Sequence, residues 1–175
     1  MDKYDLIMVT GGARSGKSEF ALEKAASYTG NKAYLATAEA LDDEMLQRVT
    51  LHRKSRGPDW ATIEEPINIC NAVKEAQGSY QVVLMDCLTI WISNLLTRIS
   101  LNEEEARGRI EEFVAMLPSL KCNLVVVTNE VGMGVVPENP LARLFRDLAG
   151  LANQKLRKAA SEAYFMVSGF QMKLK

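Results

Sequence analysis

Cysteine is scarce in this 175-residue chain: Cys70, Cys87 and Cys122 lie far apart and form no C-x-x-C pair. Neither a zinc site nor a disulfide framework is therefore expected. For Cys87, at the end of an apolar run, a small core residue is the expected role rather than a nucleophile. No apolar run approaches the roughly 20 residues of a membrane span, and no secretory leader opens the sequence, which points to a cytoplasmic protein. The net charge is only −1, so there is no general pull toward nucleic acid or acidic membranes; a local basic patch stays open. Repeats, low-complexity segments and evident linkers are lacking too, and the length fits one domain over residues 1–175.

What is present is an ordinary globular composition, 47% apolar and 25% charged. Apolar runs at 5–10, 32–37, 81–86, 123–128 and 163–168 read as strands, with a brief extended piece at 61–64. Between them, helices are expected from 18 to about 28, 43 to about 54, 68–76, 88–96, from about 103 to 117, and 141 to about 160. Asn102, followed by Glu103, Glu104 and Glu105, marks the start of the helix that Pro118 ends. The run at 81–86 is almost continuously apolar and ends in an acid, as a parallel strand buried on both faces would; it should be central. Alternation of this kind predicts an α/β fold, a mostly parallel sheet with helices on both faces.

Between the first strand and first helix stands Gly11-Gly12-Ala13-Arg14-Ser15-Gly16-Lys17-Ser18, which fits G-x-x-x-x-G-K-[ST]. Glycines let the backbone turn its N–H groups onto phosphate oxygens, and the positive end of the helix faces the same anion. Lys17 adds a charge near the β and γ phosphates, and Ser18 can place its hydroxyl on Mg²⁺. The expected architecture is that of a P-loop NTPase, RecA-like. A second acid at a neighbouring strand end usually completes the metal shell, and Asp86 is the candidate. Its other use would be as N-cap of the following helix. Glu64 and Glu65 could accept from a ribose or guanine, or simply be solvated.

The single histidine, His52, shares a helix face with Arg48, and Arg56 continues that face. Nearby cations favour the neutral imidazole, which can attack phosphorus, yet a lone histidine on a charged helix is more commonly a surface residue. Residues 129–140 form a long glycine- and proline-containing loop on the edge where open α/β sheets bind ligands. Arg143, Arg146 and Asp147 belong either to that binding surface or to a solvated helix face. The apolar stretch 88–96, with Trp91, exceeds what one helix face needs to bury and suits a subunit contact.

Several blocks occur in order: Gly-Gly-Ala-Arg-Ser-Gly-Lys-Ser (11–18), Tyr-Leu-Ala-Thr-Ala (34–38), Asp-Asp-Glu-Met (42–45), Arg-Val-x-x-His-Arg (48–53), Asp-Cys-Leu-Thr (86–89) and Thr-Asn-Glu-Val-Gly-Met-Gly-Val-Val-Pro (128–137). Phe-Arg-Asp-Leu-Ala-Gly (145–150) and Asn-Gln (153–154) continue them. Together they resemble the bifunctional adenosylcobinamide kinase/adenosylcobinamide-phosphate guanylyltransferase family over essentially the whole chain. The resemblance implies two reactions. The corrinoid's aminopropanol hydroxyl first takes the γ-phosphoryl group of ATP or GTP. A histidine then carries GMP from GTP to the corrinoid phosphate, giving adenosylcobinamide-GDP. By position in its motif His52 is that nucleophile; where some relatives have a second histidine, this chain has Leu51. The resemblance further implies GTP contacts from Ala36, Thr37, Ala38, Arg53, Lys54, Ser55, Arg56, Glu64 and Asp86 beside the P-loop. It also implies a homotrimer; with a corrinoid as acceptor, the 129–140 loop on the P-loop's sheet edge is expected to face it, and Mg²⁺ is expected at Ser18 and Asp86. Two rivals are a plain P-loop small-molecule kinase, with His52 on the surface, and a nucleotide-dependent switch or assembly ATPase.

Overall fold

The structure, a computed structural model, describes residues 4–38 and 59–175. The helix expected over 43–54, with His52 and Arg53, Lys54, Ser55 and Arg56, lies outside the described residues. A seven-stranded sheet organises the rest: β1 (Leu6–Gly11), β2 (Lys32–Ala36), β3 (Trp60–Glu64), β4 (Val82–Asp86), β5 (Asn123–Val127), β6 (Glu162–Val167) and β7 (Phe170–Lys173). Their spatial order is β3-β2-β4-β5-β1-β6-β7, parallel throughout except for the antiparallel β6–β7 pair. β4, β5 and β1 lie inside the sheet, which explains why their sequences are apolar without alternation.

The helices are α1 (Lys17–Ala26), α2 (Ile69–Ala76), α3 (Leu88–Thr97), α4 (Glu103–Met116) and α5 (Pro140–Ala159). On one face, alternate residues of the strands, Met8, Leu35, Met85, Leu124 and Val126, pack against α2 to α5. On the other, Ile7, Val9, Leu84, Val125 and Val127 pack with Ala21 and Ala25 of α1. Alternation along each strand therefore feeds two cores, and helices cover both faces. Each large apolar side chain so enclosed contributes roughly 1.5–3 kcal/mol. Among the described residues no helix is long and apolar enough to cross a membrane.

Three expectations are corrected. The strand at 163–168 is not the last: Ser168 and Gly169, at φ 50° and 83°, turn the chain back into β7. The apolar segment α3 is spent within the chain, because Leu88, Trp91, Ile92 and Leu95 are all buried and the Trp91 Nε1–H donates to the Ile67 carbonyl at 2.8 Å. Its hydrophobicity thus gives no reason for a subunit contact. Asp86 does not cap α3 either. That place falls to Cys87, without a side-chain cap bond, while the Asp86 carboxylate accepts from the Tyr34 hydroxyl at 3.0 Å. The predicted α4 start is found as expected, with Asn102 and Glu105 forming a reciprocal capping box.

Candidate nucleotide and phosphoryl-transfer site

The parallel register brings most of the candidate residues to one edge. Glu64 pairs with Ala36, Ala36 with Asp86, Asp86 with Val127, and Val127 with Val9. This row crosses five strands, about 19 Å of sheet edge at the usual inter-strand spacing. Two residues past Val9, β1 ends at Gly11 and turns into the loop that opens α1. The carboxyl edge thus carries Gly11, Gly12, Ala13, Arg14, Ser15, Gly16, Lys17 and Ser18 together with Ala36, Thr37, Ala38, Glu64 and Asp86.

The loop is shaped by its backbone. Arg14 and Gly16 adopt positive φ values of 53° and 91°, and Gly11 has φ 151°. A Cβ on Gly11 would stand 2.3 Å from the Met166 carbonyl oxygen, so β6 forces a glycine there. From behind, the Glu130 N–H donates to the Gly11 carbonyl and the Gly169 N–H to the Ser15 carbonyl, at 3.0 and 3.1 Å. With carbonyls tied outward, the loop's remaining N–H groups and the first turn of α1 are available to an anion. Lys17 is buried, and its Nζ donates to the Gly12 carbonyl inside the curl. Burial lowers its pKa, an effect opposed by the Cys87 thiol and the Asp86 carboxylate, so Asp86 acts electrostatically on the loop lysine. Ser18, the second residue of α1, is half-buried at the same end. The hydroxyls of Thr10 and Ser15 are buried without a hydrogen-bond partner.

Thr37 is wholly buried, and its Oγ1 both donates to the Cys87 carbonyl and accepts from the Cys87 N–H at 2.8 Å. The Asn94 amide donates to the Thr37 carbonyl at 2.9 Å. This side chain therefore holds the β2 and β4 ends together rather than facing outward. Burial pushes the Cys87 thiol up to about 11, in keeping with a core residue and not a nucleophile. Of the two glutamates, Glu65 is occupied locally, accepting from the Ile67 and Asn68 N–H groups at 2.9 and 2.7 Å. Glu64 is exposed at the end of edge strand β3.

A buried polar chain escapes sequence reasoning. Thr128 Oγ1 donates to Asn153 Oδ1 at 2.7 Å, Asn153 Nδ2 to the Asn129 carbonyl at 3.1 Å, and Asn129 Nδ2 to Thr89 Oγ1 at 2.8 Å. It joins β5, α3 and α5 at the root of the 129–139 loop. The only sequence signal is that all four residues fall within the motif blocks. Arg143, in the first turn of α5, braces the same loop, donating to the Pro137 and Glu138 carbonyls at 3.0 and 2.6 Å, whereas Arg146 pairs with Asp147 at 3.1 Å.

Residues 7–174 match the family described as cobinamide kinase / cobinamide phosphate guanyltransferase. The chain is 39% identical to the bifunctional adenosylcobalamin biosynthesis protein CobU of Escherichia coli (strain K12), over 97% of this chain and 99% of that protein. It is 38% identical to the Salmonella typhimurium protein of the same name, with the same coverage. Identity to the bifunctional adenosylcobalamin biosynthesis protein CobP of Pseudomonas aeruginosa is 36%, covering 96% of each chain. With residues 7–174 matched and its glycine-lysine loop built at the carboxyl edge of a mostly parallel sheet, the chain belongs to the cobinamide kinase / cobinamide phosphate guanyltransferase family.

Proposed function

We propose that this protein phosphorylates adenosylcobinamide and then transfers GMP to the product, giving adenosylcobinamide-GDP, within one RecA-like P-loop domain. The observation that carries the reading is the carboxyl edge itself, where the phosphate cradle with Lys17 after β1, Asp86 at the end of β4 and Glu64 at the end of β3 lie along one side of the sheet. In the kinase step the corrinoid hydroxyl attacks the γ-phosphorus and the bond to the nucleoside diphosphate breaks. The loop N–H groups and Lys17 stabilise the charge gathering on the transferred group and the leaving phosphates.

In the second reaction a ring nitrogen of His52 attacks the α-phosphorus of GTP. A P–N bond forms, the bond to pyrophosphate breaks, and pyrophosphate leaves into the cradle. A phosphate oxygen of adenosylcobinamide phosphate then attacks the same phosphorus, which releases the imidazole. Arg53, Lys54, Ser55 and Arg56 belong to the GTP contacts in this reading, as do Ala36, Thr37 and Ala38 through their backbone, and Glu64 takes a ribose or guanine donor. The Ser18 hydroxyl and Asp86 carboxylate are hard oxygen donors at one edge, a set that fits Mg²⁺, and they would hold it. Bound there with nucleotide, the ion would neutralise charge on the β and γ oxygens. A cytoplasmic homotrimer belongs to the same reading, checked by light scattering.

The test is incubation with α-labelled GTP and Mg²⁺. The protein should acquire an acid-labile, base-stable label, and His52→Ala should not. Labelling that survives the substitution removes His52 as the carrier. Phosphorylation of the corrinoid with no protein-bound GMP would favour the plain kinase.

A further inference from the structure

A cavity of about 570 Å³ opens between the 129–139 loop, α4 and α5, and the nucleotide reading makes no use of it. Its walls include Arg107, Gly134, Arg146, Asp147, Gly150 and Gln154. The two cations are already spoken for: Arg107 pairs with Glu103 at 2.8 Å and Arg146 with Asp147 at 3.1 Å. A polyphosphate would have to displace a carboxylate from each guanidinium. A neutral amide would not, since it can accept from a guanidinium N–H left over by the pair and donate to a free carboxylate oxygen. Gln154 is exposed and offers both an amide donor and an acceptor.

The cavity also has room for something flat and broad. A Cβ placed on Gly134 or Gly150 meets nothing within 4 Å, so both positions open onto space. Along the loop Met133, Val135 and Val136 are 79%, 95% and 59% exposed, an apolar rim beside a wall that is polar but charge-balanced. One root of this loop is fixed to the phosphate cradle by the Glu130 N–H to Gly11 carbonyl bond, and Gly132 N–H is bonded to the Glu130 carboxylate at 3.0 Å.

We propose that this cavity is the corrinoid site: it takes an amide-bearing edge of the corrin ring, with the apolar ring face against Met133, Val135 and Val136. The inference rests on the reading above that adenosylcobinamide is the acceptor. A corrin is a wide, largely apolar disc fringed by primary amides, which is the chemistry that a charge-neutral cavity with an apolar rim selects. Asp147 and Gln154 act as substrate-positioning residues.

Binding of adenosylcobinamide to the full-length protein can be followed by equilibrium dialysis, reading the corrinoid's own absorbance, alongside GTP binding. Gly150→Leu should fill the cavity while suiting a helix, and Asp147→Asn removes one acceptor charge at an exposed position. Corrinoid affinity should fall about tenfold or more in the first and about three- to tenfold in the second, with GTP affinity within twofold of the parent in both. If wild type binds the corrinoid and a variant that retains GTP affinity binds it equally well, the cavity is not the site, and the activity reading stands. Should Gly150→Leu lose GTP binding too, the decision falls to Asp147→Asn alone. Wild type that fails to bind the corrinoid, with or without GTP, overturns the acceptor reading and this proposal with it.

Discussion

The two ends of the sheet treat polar groups in opposite ways. At the amino end, Asp5 accepts from the Tyr28 hydroxyl at 2.8 Å and the Ser161 hydroxyl at 3.2 Å, and its N–H donates to the Asn123 side chain. Gln81 there accepts from the Asn31 N–H and Lys24 pairs with Glu162. The only buried side-chain oxygens without a partner among the described residues, Thr10 Oγ1 and Ser15 Oγ, are at the carboxyl end, as is Lys17, whose charge burial disfavours. One end is closed on itself and the other retains hydrogen-bonding capacity. That difference locates a site independently of any motif, because leaving a buried polar group unpaired costs about 1–3 kcal/mol and is tolerated where a ligand repays it.

The sharpest way to break the comparison is a pair of substitutions. Lys17→Ala should lower both phosphoryl transfers by on the order of 100- to 1,000-fold, since it removes a charge that acts on the reacting phosphates. Its unfolding midpoint in urea should not fall, because the deleted ammonium is one the fold desolvates. Asp5→Ala should do the reverse, costing about 1–2 kcal/mol of stability while turnover per folded molecule stays within twofold. Equal losses of activity in the two variants would erase the distinction between the ends. Gly11→Ala tests where they meet. Its Cβ would lie 2.3 Å from the Met166 carbonyl oxygen and 2.9 Å from Ser15 Oγ, so about 3 kcal/mol of stability should be lost together with nucleotide binding. Thermal melts with and without GTP check both, and a variant that melts like the parent would mean that β6 does not brace the loop.

The phosphate loop at the carboxyl end and the sheet were legible because the signals are local. Gly11 to Ser18, Gln81 to Asp86 and the Asn102 cap each announce themselves within eight residues. β7 was also within reach: Phe170, Met172 and Leu174 alternate with Gln171 and Lys173 after a Ser168-Gly169 turn, but every residue of the strand is exposed and no buried partner sharpened the pattern. α3 misled for the opposite reason. Its hydrophobicity is satisfied by α4, by the sheet and by the Ile67 carbonyl, contacts between segments whose proximity depends on the finished fold. The Thr128–Asn153–Asn129–Thr89 chain is of the same kind, linking residues up to 64 positions apart, from 89 to 153. Polar residues in a row can be read from sequence; which of them meet cannot.

The smallest effect lies at the closed end and has a definite sign in pH. Glu162, the first residue of β6, accepts from the Tyr164 hydroxyl and lies beside Lys24 and Lys173 at 3.3 and 3.4 Å. The Tyr164 hydrogen bond foremost, and then the Lys24 and Lys173 partners against some desolvation, hold its pKa below the ordinary 4.5. A carboxyl depressed in the folded state binds its proton more readily when the chain unfolds. Its contribution is therefore complete above pH 4.5 and is lost as pH falls through the lower folded value. Glu162→Gln should melt a little below the parent at pH 7, with the gap closing on acidification toward pH 3. The side chain is about a third exposed, so the gap stays small and shrinks in salt. Because Glu162 pairs in register with Ile7 and lies seven residues before Gly169, whose N–H supports Ser15, the same variant should leave GTP affinity unchanged. A melting gap that persists undiminished at low pH would assign the loss to packing, and a GTP affinity that follows the melting temperature would show that the two ends of the sheet are coupled after all.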